Sequence, residues 1–207
     1  MEERLFRIIF GIPSIIIAIT VHEFFHAWTA FRCGDPTSKY ENRVTLNPLA
    51  HFDPIGGGLL LLTLIVMPFT FGWGKPPNVK PEYMKNPRTD VVLVALAGPL
   101  ASFALAGGSG FLLKAGIVGY GTLPGLFLSY FTMVNLGLGL FNLLPVPPLD
   151  GWKILQGILP YSLTRHMDAV ERNDPRVLMV VLVIVAFAAG PLIQVPYNLL
   201  YSLFTGQ

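Results

Sequence analysis

The chain has 207 residues, of which 53% are hydrophobic and 13% are charged, and its mean hydropathy is +0.59. Soluble domains carry about twice that proportion of charged residues, so the composition predicts an integral membrane protein. The net charge of +2 is small and the basic residues are spread over several connectors, which argues against a nucleic-acid-binding surface. The single cysteine, Cys33, excludes an internal disulfide.

Long stretches without charge account for most of the chain. A transmembrane helix needs about 20 mostly apolar residues. Four or five stretches approach or exceed this length with one charge at most, and they cover residues 8–31, 55–74, 91–113, 115–149 and 177–207. The connectors between them are far shorter than a typical domain, which leaves little room for a soluble module.

These stretches predict an all-α polytopic membrane protein with about four to six transmembrane or re-entrant segments. A short membrane-associated loop or β-like segment is expected between the first and second core helices. We expect residues 1–207 to form one integral-membrane domain, with its core at residues 5–159 and a cytoplasmic connector plus a C-terminal helical segment at residues 160–207.

Basic residues are distributed unequally. Eleven of the 14 Lys and Arg residues lie in three connectors, at residues 32–54, 75–90 and 150–176. The positive-inside rule therefore predicts that these connectors are cytoplasmic and that the N-terminus lies outside. A multi-pass protein of this kind is expected in the cell membrane if the host is prokaryotic.

The stretch at residues 55–74 conflicts with a simple alternation of helices, because it has basic connectors on both sides. Gly56, Gly57, Gly58 and Pro68 interrupt it. Non-helical backbone at membrane depth is tolerated where protein buries it or water lines it. We predict a re-entrant excursion for this stretch; the alternative is one short crossing helix that departs from the charge rule.

The first apolar stretch contains His22-Glu23-Phe24-Phe25-His26. Two histidines four residues apart lie on one face of a helix, where both imidazoles can reach one metal ion, with the glutamate beside them. A carboxylate inside a membrane helix costs about 2.5 to 3.5 kcal/mol, so it usually faces a partner or a wet cavity. The alternative is a pair of histidines that pack between helices, with Glu23 bonded to one of them.

A catalytic zinc ion needs a third protein ligand if one position is to stay open for water. Asp150 is the leading candidate because it ends an uncharged stretch in which Pro145, Pro147 and Pro148 prevent a regular helix. Its alternative role is the N-cap of a helix that follows it. His51 and Asp53 are secondary candidates, and simple polar or capping roles would also explain them.

Two motifs together resemble a known family. The His22–His26 motif and the segment Asn142-Leu143-Leu144-Pro145-Val146-Pro147-Pro148-Leu149-Asp150-Gly151 are similar to the two signature motifs of the site-2 proteases. Further similarity is found at residues 47–56, 71–79 and 97–99, and the chain is most similar to the compact branch without PDZ or CBS modules. One departure is Pro76-Pro77-Asn78-Val79, where the family has a Pro-Val-Pro-Val type of segment.

The resemblance implies a zinc-dependent intramembrane endopeptidase that cleaves transmembrane helices of protein substrates. It implies that His22, His26 and Asp150 bind one Zn²⁺ per chain, and the charge distribution predicts that this site lies toward the cytoplasmic side of the bilayer. It also implies that Glu23 is the catalytic base and that Asn142 positions substrate or stabilises the transition state. Separate regulatory proteins would act on a chain that carries no regulatory module.

Substrate is expected to bind along residues 71–79, since an extended edge can add a strand to an unwound substrate. The substrate-binding candidates are Gly74, Lys75, Pro76, Asn78 and Asn142. The alternative for this segment is a plain cytoplasmic turn. Gly98-Pro99 is expected to serve helix packing and a local kink, without a catalytic role.

Two other classes of function stay open at the level of the sequence. Intramembrane His, Glu and Asp residues also line the pathways of transporters and channels. A zinc-binding membrane scaffold without activity would keep the same metal ligands. The retained Glu23 favours an active enzyme over such a scaffold.

Overall fold

The computed structural model describes residues 2–66, 72–171 and 175–207. This part of the chain is helical, with two short 3-10 turns at Pro48–His51 and Pro81–Tyr83 and no strand. Its α-helices, in chain order, are α1 (Glu2–Cys33), α2 (Thr37–Tyr40), α3 (Pro54–Val66), α4 (Pro87–Lys114), α5 (Leu123–Asn142), α6 (Asp150–Ile158), α7 (Tyr161–Glu171), α8 (Pro175–Ala188) and α9 (Gly190–Thr205).

Three of these helices are long and apolar enough to cross a membrane. They are the part of α1 from Leu5 to Cys33, the whole of α4 and the whole of α5. The shorter α3 is also apolar throughout. The prediction of an all-α polytopic membrane protein is therefore confirmed.

Helices α1 and α4 pack against each other in antiparallel directions. His22 of α1 lies next to Ser102 of α4. His26, one turn further along α1, lies next to Val94, which is two turns closer to the start of α4. The end of α1 consequently lies beside the start of α4. We call this the Asp150 end of the bundle, because Asp150 also lies there.

Helix α5 runs antiparallel to α4 and parallel to α1. A buried hydrogen bond joins Ser109 and Thr132 at 2.7 Å between α4 and α5, and the rings of Phe10 and Tyr130 stack 6.0 Å apart between α1 and α5. Gly139 lets α4 and α5 approach each other, since a Cβ there would lie 2.9 Å from the Phe103 ring. The end of α5 is thereby brought to the Asp150 end.

The segment between α1 and α4 enters and leaves the bundle at one end. The amide of Lys75 donates to the carbonyl of His51 at 2.8 Å, so the two ends of the excursion meet. Between them, α3 has 13 residues, or about 20 Å of helix, against the roughly 30 Å of a bilayer core. This is the predicted re-entrant geometry; a single crossing would need the two ends on opposite sides.

Residues 72–80, on the return from this excursion, have no regular secondary structure. The alternatives predicted for this segment were a loop or a β-like conformation, and the structure has the loop. Phe71, the first residue of the expected edge, lies outside the described residues.

The proline-rich stretch ends α5 and directs the chain into α6, whose first residue is Asp150. Gly151 packs directly on the end of α5, where a Cβ would lie 2.5 Å from the carbonyl oxygen of Leu144. At the other end of α6, Arg88 of α4 donates from Nε to the carbonyl of Gly157 at 2.8 Å. Helix α6 is therefore fixed at both ends, and so is the position of Asp150.

The C-terminus lies at the end of the bundle opposite Asp150. Lys114, the last residue of α4, donates from Nζ to the carbonyl of Leu203 at 2.9 Å. Helix α9 passes through Pro196 without ending there. The sequence alone left the side of the C-terminus open, and this contact places it at the end where α1 begins.

Candidate metal centre

His22, His26 and Asp150 converge on one point between α1 and the start of α6. The Nε2 atoms of His22 and His26 lie 3.1 and 3.2 Å from the same carboxylate oxygen, Oδ2 of Asp150. Among the described residues these three form the one group of His, Cys, Asp and Glu side chains with potential ligand atoms all within 4.8 Å of one another. The structure thus brings together the three residues expected to bind metal.

The second nitrogen of each imidazole is held by α4. His22 Nδ1 lies 3.0 Å from the hydroxyl of Ser102, and His26 Nδ1 lies 2.7 Å from the carbonyl of Val94, to which it must donate. Such outer contacts fix the ring orientation of a metal-binding histidine. If His26 is neutral, the lone pair of Nε2 points at the carboxylate oxygen, an arrangement that a cation between the two atoms would satisfy.

The spacing of these atoms suits zinc. Ligands about 2.0 to 2.1 Å from a tetrahedral zinc ion lie about 3.3 Å from each other. The two distances from imidazole nitrogen to carboxylate oxygen, 3.1 and 3.2 Å, are close to that separation. Two neutral imidazoles and one carboxylate are also a donor set that zinc prefers, with one position left for water.

Gly98 of α4 makes room for this group. A Cβ at Gly98 would lie 2.6 Å from Nε2 of His22 and closer still to Nε2 of His26. The sequence assigned Gly98 to helix packing and a kink because Gly-Pro pairs commonly serve that purpose. The structure shows a further reason for glycine, which is to leave the metal-facing nitrogens uncovered.

Glu23 lies beside the metal-binding group without belonging to it. Its Oε2 is buried and has no hydrogen-bond partner among the described residues. A buried carboxylate oxygen without a donor is costly unless a ligand or a proton satisfies it. Glu23 is therefore suited to hold a proton that comes from a molecule bound at the centre.

The centre lies deep in a helix that can span the membrane. His26 precedes Cys33, the end of α1, by seven residues, and His22 precedes it by eleven. These intervals correspond to about 10 and 16 Å of helix. The group is thus inside the bundle and closer to the Asp150 end than to the other end.

Asn142 is the last residue of α5 and is half-buried. Its Nδ2 donates to the carbonyl of Leu138 at 2.9 Å, one turn earlier in the same helix. The side chain makes no hydrogen bond to His22, Glu23 or His26. Its catalytic role stays a prediction.

The other substrate-binding candidates lie on the return from the excursion. Gly74 packs on α1, where a Cβ would lie 2.6 Å from Ile19 and 3.5 Å from Cγ of Glu23. Lys75 and Pro76 follow with exposed side chains, and Asn78 donates to Glu41 at 3.2 Å. Only Gly74 among these four is brought against Glu23.

The secondary metal candidates have structural partners instead. His51 is buried, and its Nε2 donates to the carbonyl of Thr45 at 2.8 Å. Burial lowers the pKa of His51, and the Arg43 charge acts in the same direction, against the effect of the bond to Thr45. Asp53 caps α3, accepting from the amides of Ile55 at 3.0 Å and Gly56 at 2.7 Å. Neither residue joins the metal-binding group.

Sequence reasoning missed Arg43, which it counted only as one cation of a connector. The guanidinium is buried, and its Nη1 donates to the carbonyls of Ala50 and Lys75. These carbonyls lie on either side of the excursion. No local pattern around Arg43 identifies such a contact.

Several known proteins are similar to this chain in sequence. A model of peptidase family M50 matches residues 124–189. YwhC of Bacillus subtilis (strain 168), which carries the provisional name of a zinc metalloprotease, is 35% identical over 202 residues, or 93% of this chain and 89% of YwhC. Rip2 of Mycobacterium tuberculosis (strain ATCC 25618 / H37Rv), with the same kind of provisional name, is 28% identical over 201 residues, or 93% of this chain and 72% of Rip2. No solved structure matches the chain significantly.

Proposed function

Because this chain belongs to peptidase family M50 and is a zinc metalloprotease, we propose that it cleaves peptide bonds in or near the transmembrane helices of other membrane proteins. The observation that carries the proposal is the position of the metal-binding group. His22 and His26 lie inside a helix that can span the membrane, and Asp150 reaches them from the end of the bundle. A site at this depth suits a substrate that itself lies in the bilayer.

One zinc ion per chain would be held by His22, His26 and Asp150. When bound, zinc lowers the pKa of a water molecule toward 7 and polarises the scissile carbonyl. Glu23 would hold a proton taken from a water molecule at the centre and would pass it to the leaving amine, acting as base and then as acid. Its unpartnered Oε2 is free for this exchange. Asn142 is proposed to position the substrate or the developing negative charge.

The substrate has to unwind before it can be cut, since a membrane helix has all its backbone groups satisfied internally. Residues 74–79 are proposed to supply new backbone partners. Pro76 and Pro77 cannot donate, but Gly74 and Asn78 have backbone groups without a partner among the described residues. Gly74 also lies against Glu23, so a substrate paired with this segment would run past the base.

The site is proposed to face the cytoplasm. The support is the charge distribution: the connectors at the Asp150 end hold eleven of the 14 Lys and Arg residues. The N-terminus would then lie outside, in a protein that is multi-pass by its three long apolar helices. Substrates and any separate regulatory proteins would meet the enzyme within the bilayer of the cell.

Intramembrane His, Glu and Asp residues would also fit a transporter. Membership of peptidase family M50 favours a protease instead. The presence of Glu23 beside the metal-binding residues favours an active enzyme over an inactive scaffold.

Cleavage of a transmembrane peptide tests the proposal. The purified, zinc-loaded protein in detergent or liposomes is offered a single-pass peptide with a helix-weakening residue in its apolar segment. A soluble peptide containing the same bonds is the matched control. We expect cuts within or beside the apolar segment, mapped by mass spectrometry, that stop on zinc chelation and return when zinc is restored. Cleavage of the soluble peptide alone would contradict intramembrane proteolysis.

A further inference from the structure

Residues 75–80 form a short segment that is tied to the rest of the protein at both ends. At the first end, the amide of Lys75 donates to the carbonyl of His51 at 2.8 Å. At the second end, the amide of Lys80 donates to Oδ2 of Asp35 at 2.7 Å. The partners come from the connector that follows α1, so both ends are held by the same part of the fold.

Arg43 strengthens the first of these ties. Its side chain is 4% exposed, and Nη1 donates to the carbonyl of Lys75 at 3.1 Å and to the carbonyl of Ala50. No salt bridge involves Arg43 within the described residues. A buried cation without an acidic partner is costly. The hydrogen bonds of Arg43 join the start of the excursion, at Ala50, to its return, at Lys75.

Asp35 forms the second tie with a fully buried carboxylate. Its Oδ1 accepts from the amide of Thr37 at 2.9 Å, and its Oδ2 accepts from Lys80. Hydrogen bonds to an ionised carboxylate are shorter and stronger than neutral ones. One side chain thus joins the end of α1 to the far end of the 75–80 segment.

The 75–80 segment follows directly after Gly74, which packs on α1 beside Glu23. Gly74 precedes Lys75 and packs between Ile19 and Glu23, with no space for a side chain. Movement at Lys75 would therefore be transmitted to the surface that borders Glu23.

We propose that Arg43 and Asp35 are positioning residues that hold the two ends of the 75–80 segment, so that its backbone meets the substrate at a fixed distance from Glu23. The inference rests on the proposed function, since it assigns that segment to substrate binding. Neither residue touches the reacting atoms. Their effect is on the alignment of substrate and not on the metal-binding group.

The test combines amide hydrogen exchange with cleavage kinetics. Arg43→Met keeps the length of the stem and removes the donors, and Arg43→Lys restores a charged donor. Asp35→Asn leaves one acceptor oxygen for two backbone donors. Arg165→Gln, which removes the same charge from an exposed position on α7, is the control.

We expect faster exchange at Lys75 in Arg43→Met and at Lys80 in Asp35→Asn, by about tenfold or more, with zinc content equal to wild type. The KM for the transmembrane peptide should rise about tenfold with kcat within about threefold, and Arg43→Lys should recover most of the loss. The inference would be overturned if Arg43→Met and Asp35→Asn both had the amide exchange rates and the KM of the wild type. It would also be overturned if these variants lost zinc and exchanged faster throughout α1. If the wild-type protein cuts no transmembrane peptide, the proposed function is wrong. The exchange rates at Lys75 and Lys80 would still show whether Arg43 and Asp35 hold the segment.

Discussion

Glu23→Gln should lower the rate of peptide cleavage by about 10²- to 10⁴-fold, the usual contribution of general acid–base catalysis. The amide has nearly the same size as the carboxylate but cannot accept a proton from water. Zinc content should not change, because Glu23 is not part of the group formed by His22, His26 and Asp150. Initial rates on a transmembrane peptide and zinc quantification on the same preparation measure the two effects.

The control for this variant is Glu82→Gln, which makes the same chemical change at an exposed position in the 3-10 turn before α4. It should leave both rate and zinc content at the wild-type level. A Glu23→Gln protein that retains its zinc and more than about a tenth of the wild-type rate would show that another group is the base. Loss of zinc in Glu23→Gln would show that Glu23 is a ligand.

Gly98→Ala should weaken zinc binding by about 10- to 100-fold or more, the range seen when the surroundings of a metal ligand are disturbed. The new methyl group would occupy the space between the Nε2 atoms of His22 and His26. Either the imidazoles turn away from Asp150 or α1 and α4 move apart, at an overpacking cost of about 1 to 3 kcal/mol. Zinc titration of the metal-free protein measures the affinity, and cleavage should fall in parallel.

Gly108→Ala is a matched control on the same helix, since a Cβ there meets nothing within 4 Å. It should bind zinc like the wild type, which separates the effect of the metal-facing position from any general effect of alanine in α4. Wild-type zinc affinity in Gly98→Ala would mean that the metal lies elsewhere. Glycine at position 98 would then serve only the packing of α4 against α1.

The parts of the fold that were predictable from the sequence are those set by local patterns. The long uncharged stretches predicted the helices, and the four-residue spacing of His22 and His26 predicted that both face one point. The basic connectors on both sides of residues 55–74 predicted the excursion, because a single crossing would have separated them. Asp150 followed from the proline-rich break before it together with the family resemblance.

The rest depends on contacts that join distant parts of the chain. The role of Gly98 is set by how closely α4 crosses α1, and Gly-Pro in a sequence indicates only a kink or close packing. Arg43 bonds to a carbonyl 32 residues away and Asp35 to an amide 45 residues away, both in irregular backbone without periodicity. The side of the C-terminus could not be predicted either, because Gly190 and Pro196 both suggested breaks. The structure has a break between α8 and α9 just before Gly190, but α9 continues through Pro196 to Thr205.

The central claim is that one zinc ion is bound by His22, His26 and Asp150, and zinc K-edge X-ray absorption on the purified wild type and Asp150→Asn tests it most directly. The wild type should hold one zinc ion with oxygen and nitrogen neighbours at about 2.0 to 2.2 Å, including the scattering pattern of two imidazoles. Asp150→Asn should bind zinc more weakly and with one carboxylate ligand fewer. Three results would contradict the claim: a third imidazole, from His51 or His166; a sulfur neighbour at about 2.3 Å; or an unchanged spectrum in Asp150→Asn.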